Sequence, residues 1–253
     1  MRTIVAIGGG EIGGSIFDKE HKIIGFHDIE TTKIDQEIIK LSQKKTPNTL
    51  FIPTASWDNP GYCASFQKQY GEILGCKVKD LLLLSAPSKE KIKTAILEAD
   101  IIYVGGGNTQ FMLETWKKFG LLPLLRKAYE KGTILSGLSA GATCWFEKSS
   151  TDSFLTKEDK TDFEKAKEKL AIMDGLGYLE GIICPHYLKE AYRRPAFLYQ
   201  MKNINLKGYG VDNNAALVFI DEQLKGVIKS APMAKAFEIF SNNGIVTEKE
   251  LIL

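Results

Sequence analysis

The sequence predicts an α/β fold: a mostly parallel β-sheet with helices on both faces and antiparallel strands at its C-terminal end. Three observations carry this reading. Short runs of β-branched and leucine residues alternate with segments of helical spacing along most of the chain. Those runs are apolar throughout instead of alternating with polar residues, as expected of parallel strands buried on both faces. From Val211 onward, strand-like runs follow one another with only short turns between them, which suits an antiparallel extension at the sheet's edge.

The first strand runs Ile4–Ile7 and ends in Gly8, Gly9 and Gly10. Gly8, Gly10 and Gly13 formally match a dinucleotide loop, but no clear helix follows at once and no acidic residue stands clearly at the end of a second strand. His21 and His27 fall in a loop or hairpin with no partner motif. Ile34, Ile38 and Leu41 form a helical stripe, followed by a strand at Thr49–Ile52. A second stripe (Phe66, Tyr70, Ile73, Leu74) leads to a strand at Val78–Leu84, and a third (Ile92, Ala95, Ile96, Ala99) to Ile101–Val104. A strand at Thr133–Leu135 then meets Gly137-Leu138-Ser139-Ala140-Gly141-Ala142, after which Thr143–Phe146 reads as the first turns of a helix. The lysine-rich stretch Thr156–Lys169 reads as a solvated helix or a loop over the site, and Leu179–Cys184 as a further strand. Ala215–Asp221, Leu224–Lys229 and Ala236–Phe240 complete the antiparallel end.

At 253 residues the chain suits one α/β domain over 1–253, with no internal repeat or linker. Its 33 Lys and Arg against 31 Asp and Glu give a net charge of +2, no electrostatic case for nucleic acid or an anionic membrane. No stretch approaches the roughly 18 consecutive apolar residues of a spanning helix. Cys63, Cys76, Cys144 and Cys184 show no close pair and no ligand-type spacing, which argues against a disulfide or zinc framework. The expected location is the cytoplasm.

Ser139 carries the chemistry. A serine between glycines at a strand-to-helix junction sits on a sharp turn that exposes its hydroxyl and aims the following N–H groups at whatever it attacks. A tight helix start with serine as a plain N-cap is the alternative. In a parallel sheet the loops at the strands' carboxyl ends form the site. One of these, Gly105-Gly106-Gly107-Asn108-Thr109, opens a helix with free backbone N–H groups, suited to a phosphate or an oxyanion. Another, Pro185-His186-Tyr187, places a histidine where a strand ends, a candidate general base. Asp152, within Ser149–Ser153, supplies a carboxylate between the two in chain order, as an orienting residue or as an ordinary turn former.

Together these residues carry a family resemblance. Gly137–Ala142, preceded by Tyr103–Thr109 and followed by Pro185-His186-Tyr187, resembles the dipeptidase E (aspartyl dipeptidase) and cyanophycinase group of serine peptidases. Phe51–Ser56 and Tyr209–Leu217 match the same pattern, so the likeness spans nearly the whole chain. It implies a fold similar to a class I glutamine amidotransferase domain with serine in place of cysteine. It implies Ser139 as nucleophile, His186 as base, and Gly106, Gly107 and Ala140 as the oxyanion hole. Asp152 is the best match for the third triad member, with Glu147 and Asp212 as rivals. Asn108, Asp212, Arg193 and Arg194 become candidate substrate-binding residues, the arginines standing where dipeptidase E reads the aspartate of an Asp-X dipeptide. The implied substrate is a short peptide, with no metal or organic cofactor, in a monomer or homodimer. An amidase or esterase of the same fold, or a catalytically silent binding module, would share these features.

Overall fold

The computed structural model describes residues 1–20 and 22–252; His21 lies outside the described residues. In chain order the elements are β1 (Thr3–Ile7), β2 (Ser15–Phe17), β3 (Ile23–Phe26), α1 (Thr32–Leu41), β4 (Asn48–Ile52), α2 (Pro60–Phe66) and β5 (Lys77–Asp80). There follow α3 (Lys89–Glu98), β6 (Ile101–Val104), α4 (Thr109–Phe119), α5 (Leu121–Lys131), β7 (Ile134–Leu138), α6 (Ala140–Thr143) and β8 (Phe146–Thr151). The last third contains α7 (Phe163–Lys169), β9 (Ala171–Asp174), β10 (Leu179–Pro185), α8 (Arg193–Met201) and β11 (Gly208–Val211). It ends with β12 (Ala215–Ile220), β13 (Gln223–Lys229), β14 (Ala236–Asn242) and β15 (Ile245–Glu250).

The main sheet has the order β13-β12-β1-β7-β6-β4-β5. The five strands β1, β7, β6, β4 and β5 are parallel, and β12 and β13 add to β1 antiparallel, as predicted for Ala215–Asp221 and Leu224–Lys229. Val211 and Ala236–Phe240, expected in the same extension, lie instead in the second sheet as parts of β11 and β14. Strand β1 shows why its residues are continuously apolar. Ile4 and Ala6 enter one core with α3, α4 and α5, whereas Val5 and Ile7 enter another with α1 and α2. Every residue of the strand is buried because both faces are covered. Capping chemistry sets the helix starts: Asn59, Ser88 and Asn108 each accept a backbone N–H of their own helix's first turn. Gly120 and Gly132, in the left-handed region, terminate α4 and α5.

A second sheet, of order β15-β14-β11-β10-β8-β9, departs from the sequence expectation. The strand expected at Leu179–Cys184 forms here as β10, parallel to β8 and β11, instead of joining the main sheet. Phe146, Leu179, Ile183, Tyr209 and Val211 from this sheet pack into the core that contains Leu217 and Phe219, while Ile182 and Cys184 face Phe197 and Met201 of α8. The helix expected at Thr143–Phe146 is also corrected: α6 ends at Thr143, and Phe146 begins β8. Strand β5 stops at Asp80, and Leu83–Ser85 form a 3₁₀ turn. The lysine-rich stretch does contain a helix, α7, which buries Ala166 against Tyr192 and Ala196. Among the described residues, no helix is long and apolar enough to cross a membrane.

Candidate active site

The loop after β1 is where the two sheets meet. Gly8 N–H donates to Ala215 O at 2.9 Å, Ser139 N–H to Ile7 O at 2.9 Å, His186 N–H to Gly8 O at 3.0 Å, and Asn214 N–H to Gly9 O at 2.9 Å. The carboxyl end of β1 therefore holds the end of β7 from the main sheet and the ends of β10 and β11 from the second. Close approach of this kind demands glycine. A Cβ on Gly9 would lie 2.2 Å from Asn213 Oδ1 and 2.4 Å from His186 Nδ1.

Ser139 has φ 55° and ψ −113°, a strained conformation for a residue with a side chain, costing about 1–3 kcal/mol that the surroundings must offset. Helix α6 accepts it: Ala142 N–H and Thr143 N–H both donate to Ser139 O, at 2.8 and 2.9 Å. The flanking glycines allow the turn to pack against β6, since a Cβ on Gly141 would sit 2.1 Å from Val104 O. The hydroxyl makes no cap hydrogen bond. It pairs instead with His186, Oγ to Nε2 at 2.8 Å.

His186 also occupies the left-handed region, at φ 53°. Its Nδ1 lies 2.7 Å from Asn213 Oδ1. An amide oxygen can only accept, so this contact places the ring proton on Nδ1 and leaves Nε2 to accept from the serine hydroxyl. Burial pushes the imidazole pKa below its ordinary value, and the nearby Arg193 charge adds to this; Glu190, Asn213 and Asp152 oppose it.

The expectation for Asp152 is corrected by this geometry. Its carboxylate faces away into a partly buried ion network with Arg193 Nη2 at 2.9 Å, Lys160 Nζ at 2.5 Å and Tyr192 OH at 3.1 Å. Burial would raise its pKa, but these partners outweigh burial and hold it well below the usual carboxylate range. Glu147 is exposed on β8. Asp212 Oδ1 accepts from Leu188 N–H at 3.0 Å and Lys189 N–H at 2.8 Å, fixing the turn after the histidine. Asn213, one residue further on, is the group in contact with the imidazole, and sequence reasoning missed it.

The Gly105–Gly107 loop lies against the serine: a Cβ on Gly106 would be 3.4 Å from Ser139 Cβ. Gly106 N–H donates to Tyr62 OH at 3.2 Å, whereas among the described residues Gly107 N–H and Ala140 N–H have no hydrogen-bond acceptor. Gly107 has φ 140°, and a Cβ there would fall 2.1 Å from Ala55 O. As the first residue of α6, Ala140 has no acceptor for its N–H within that helix.

The remaining substrate-binding expectations are corrected too. Asn108 caps α4, its Oδ1 accepting from Phe111 N–H at 2.9 Å. Arg193 is 2% exposed and committed to Asp152 and Glu190. Arg194 pairs with Glu248 of β15 at the surface. None of these side chains, nor Asp212, lines the cleft at Ser139. That cleft, of about 600 Å³, is bounded by Gly10, Glu11 and Ile12 on one side and by Asn59–Tyr62, Gly106 and Gly107 on the other, with Leu138, Ser139, His186 and Asn213 between. Among the described residues, no three or more His, Cys, Asp or Glu side chains are grouped to hold a metal ion.

Comparison with known proteins agrees with this architecture. The model of peptidase family S51 matches residues 24–227. An uncharacterized peptidase, YgaJ, of Bacillus subtilis (strain 168) is 36% identical over 241 residues, 94% of this chain and 92% of that protein. Peptidase E of Pasteurella multocida (strain Pm70) is 35% identical over 111 residues, 42% of this chain and 43% of that one. The crystal structure of a peptidase from an acI-B1 Actinobacterium superposes with a TM-score of 0.66 at 18% identity. That match covers 99% of this chain and 94% of the other, a likeness of fold.

Proposed function

This chain belongs to peptidase family S51 and is a serine-type peptidase, and on that premise we propose that Ser139 cleaves short peptides through an acyl-enzyme with His186 as general base. The observation that carries the proposal is the 2.8 Å contact between Ser139 Oγ and His186 Nε2 within an open cleft. As Oγ attacks the scissile carbonyl, Nε2 takes its proton and the ring becomes an imidazolium. Asn213 Oδ1 accepts the Nδ1–H bond throughout, keeping the ring's tautomer and orientation. It contributes a dipole where a carboxylate would contribute a full charge.

The carbonyl oxygen, negative in the tetrahedral intermediate, would accept from Gly107 N–H and Ala140 N–H. Loss of one such donor typically lowers the rate on the order of 100- to 1000-fold. The protonated His186 then passes its proton to the leaving amine, and water, deprotonated by the same nitrogen, releases the acid. A preference for Asp-X dipeptides gains no support from Arg193 or Arg194, both of which are engaged away from the cleft.

Labelling with a fluorophosphonate followed by mapping of the modified residue tests the assignment. Ser139 is expected to carry the label, and Ser139→Ala to abolish both labelling and several orders of magnitude of peptide hydrolysis with the fold intact. Full hydrolysis by the alanine variant would refute the proposal.

A further inference from the structure

The cleft has an electrostatic sign. With Arg193 and Arg194 engaged elsewhere, Glu11 is the one acidic or basic side chain, apart from the catalytic histidine, among the described residues that line it. Its backbone is fixed from both sides. Glu11 N–H donates to Glu30 Oε2 at 3.1 Å, Glu30 N–H donates back to Glu11 O at 2.8 Å, and the neighbouring Ile12 is buried and bridges to Ile29. Glu30 thus spends a carboxylate oxygen on holding the strand-like segment, whereas the Glu11 side chain is exposed and among the described residues has no hydrogen-bond or ion-pair partner. Burial raises the pKa of Tyr62, the residue whose hydroxyl holds Gly106 beside the serine, and the Glu11 charge adds a smaller rise.

We infer that Glu11 is a specificity residue: it recognises an ammonium group of the substrate near the scissile bond. The inference rests on the proposed Ser139 chemistry. An unpaired carboxylate at the rim of a cleft favours a cation that completes a charge-assisted hydrogen bond and disfavours a substrate carboxylate at the same place. Two sources offer that cation, the free α-amino group of an N-terminal residue and the side chain of a lysine. The cleft therefore opposes the aspartate side chain that the arginine pair led us to expect.

The test compares kcat/KM within two substrate pairs. The first is alanyl-p-nitroanilide against its N-acetyl derivative; the second is N-acetyl-lysyl-p-nitroanilide against N-acetyl-norleucyl-p-nitroanilide. The wild type should favour the ammonium-bearing member of at least one pair by roughly ten- to hundredfold. Glu11→Gln should bring that ratio near one, chiefly through KM, and Glu11→Asp should restore part of it. Which pair responds identifies the source of the cation. Ratios near one in the wild type, ratios that survive Glu11→Gln, or no hydrolysis of any of the four by an enzyme that fluorophosphonate labels at Ser139 would overturn the assignment of Glu11. A wild type that neither hydrolyses them nor labels at Ser139 would instead overturn the nucleophile beneath it.

Discussion

Replacing Asn213 separates a working triad from an incidental contact. In the proposed mechanism His186 is an imidazolium in the transition state, and its Nδ1–H bond to Asn213 Oδ1, 2.7 Å long in the resting state, would become charge-assisted. A hydrogen bond to a charged group is worth about 1.5–3 kcal/mol, so Asn213→Ala should lower kcat roughly 10- to 150-fold with little change in KM. Asn213→Asp works in the opposite direction on the proton. Burial and Arg193 hold the wild-type imidazole below its ordinary pKa, so kcat/KM should rise with pH along a limb lying below that value. A carboxylate in contact with Nδ1 favours the charged ring and should move this limb up by about one to three pH units. Gly9→Ala offers an independent route to the same contact, because its Cβ would lie 2.2 Å from Asn213 Oδ1 and 2.4 Å from His186 Nδ1. It should lower kcat at least as far as Asn213→Ala does. Steady-state kinetics between pH 4.5 and 9 (on the order of the range in which an imidazole limb is visible) reads all three variants. An Asn213→Ala enzyme with unchanged kcat, together with an Asn213→Asp enzyme whose pH limb has not moved, would refute the reasoning.

The two arginines after the histidine should behave differently from one another. Arg193→Met leaves the partly buried Asp152 and Glu190 carboxylates without their guanidinium, at a cost of about 3–5 kcal/mol in urea unfolding; Arg194→Met removes one surface pair and should cost less than about 1 kcal/mol. Arg194→Met should also leave the Asp/Asn substrate ratio unchanged, and a shift in that ratio would return the residue to the binding site. Asp35, buried under the bonds of Thr31, Gln69 and Tyr70, has its pKa raised by desolvation to about 6 from 3.8. Its folded pKa exceeds its unfolded one, so its contribution to stability is complete below the unfolded value and is lost as pH rises through about 6. The loss amounts to about 3 kcal/mol. The stability difference between wild type and Asp35→Asn, measured by urea unfolding from pH 4 to 7, should follow that slope, and a flat difference would contradict it.

The centre of the main sheet was readable because its strands there obey one rule. Ile4–Ile7 and Ile101–Val104 are apolar at every position, and the structure buries every one of these residues between two cores. The second sheet obeys a mixed rule and was harder to read. Strand β8, Phe146–Thr151, carries Glu147 and Lys148 ahead of three buried hydroxyl residues, and β9 is a four-residue strand paired on one side alone. Strand β8 produces no apolar run, and the short one at β9 follows directly on α7 with no turn to set it apart. The helix pattern at Thr143–Phe146 failed because apolar residues just after a nucleophile turn can as well be entering a strand, and periodicity over four residues cannot tell the two apart.

The site was legible wherever a residue's surroundings were local. Ser139 is announced by its own glycines, and Gly106 and Gly107 by the helix they open. His186 stood out because it ends a strand. Asn213 had no such signal: its role comes from a contact 27 residues away in the chain, made when β10 and β11 lie side by side in parallel. Chain order favoured Asp152 because a carboxylate between serine and histidine suits a triad, yet a buried arginine so close in sequence to the histidine was a competing partner for that carboxylate. The glycines after β1 carried the missing information. They serve the chain's own contacts: Gly8 and Gly9 accept the backbone N–H groups of His186 and Asn214, and the site of a Cβ on Gly9 is filled by the His186–Asn213 pair. A run of glycines at the end of a central strand, with no helix to follow, is thus a signal that other chain ends converge there. Here those ends bring the serine of one sheet to the histidine and asparagine of the other.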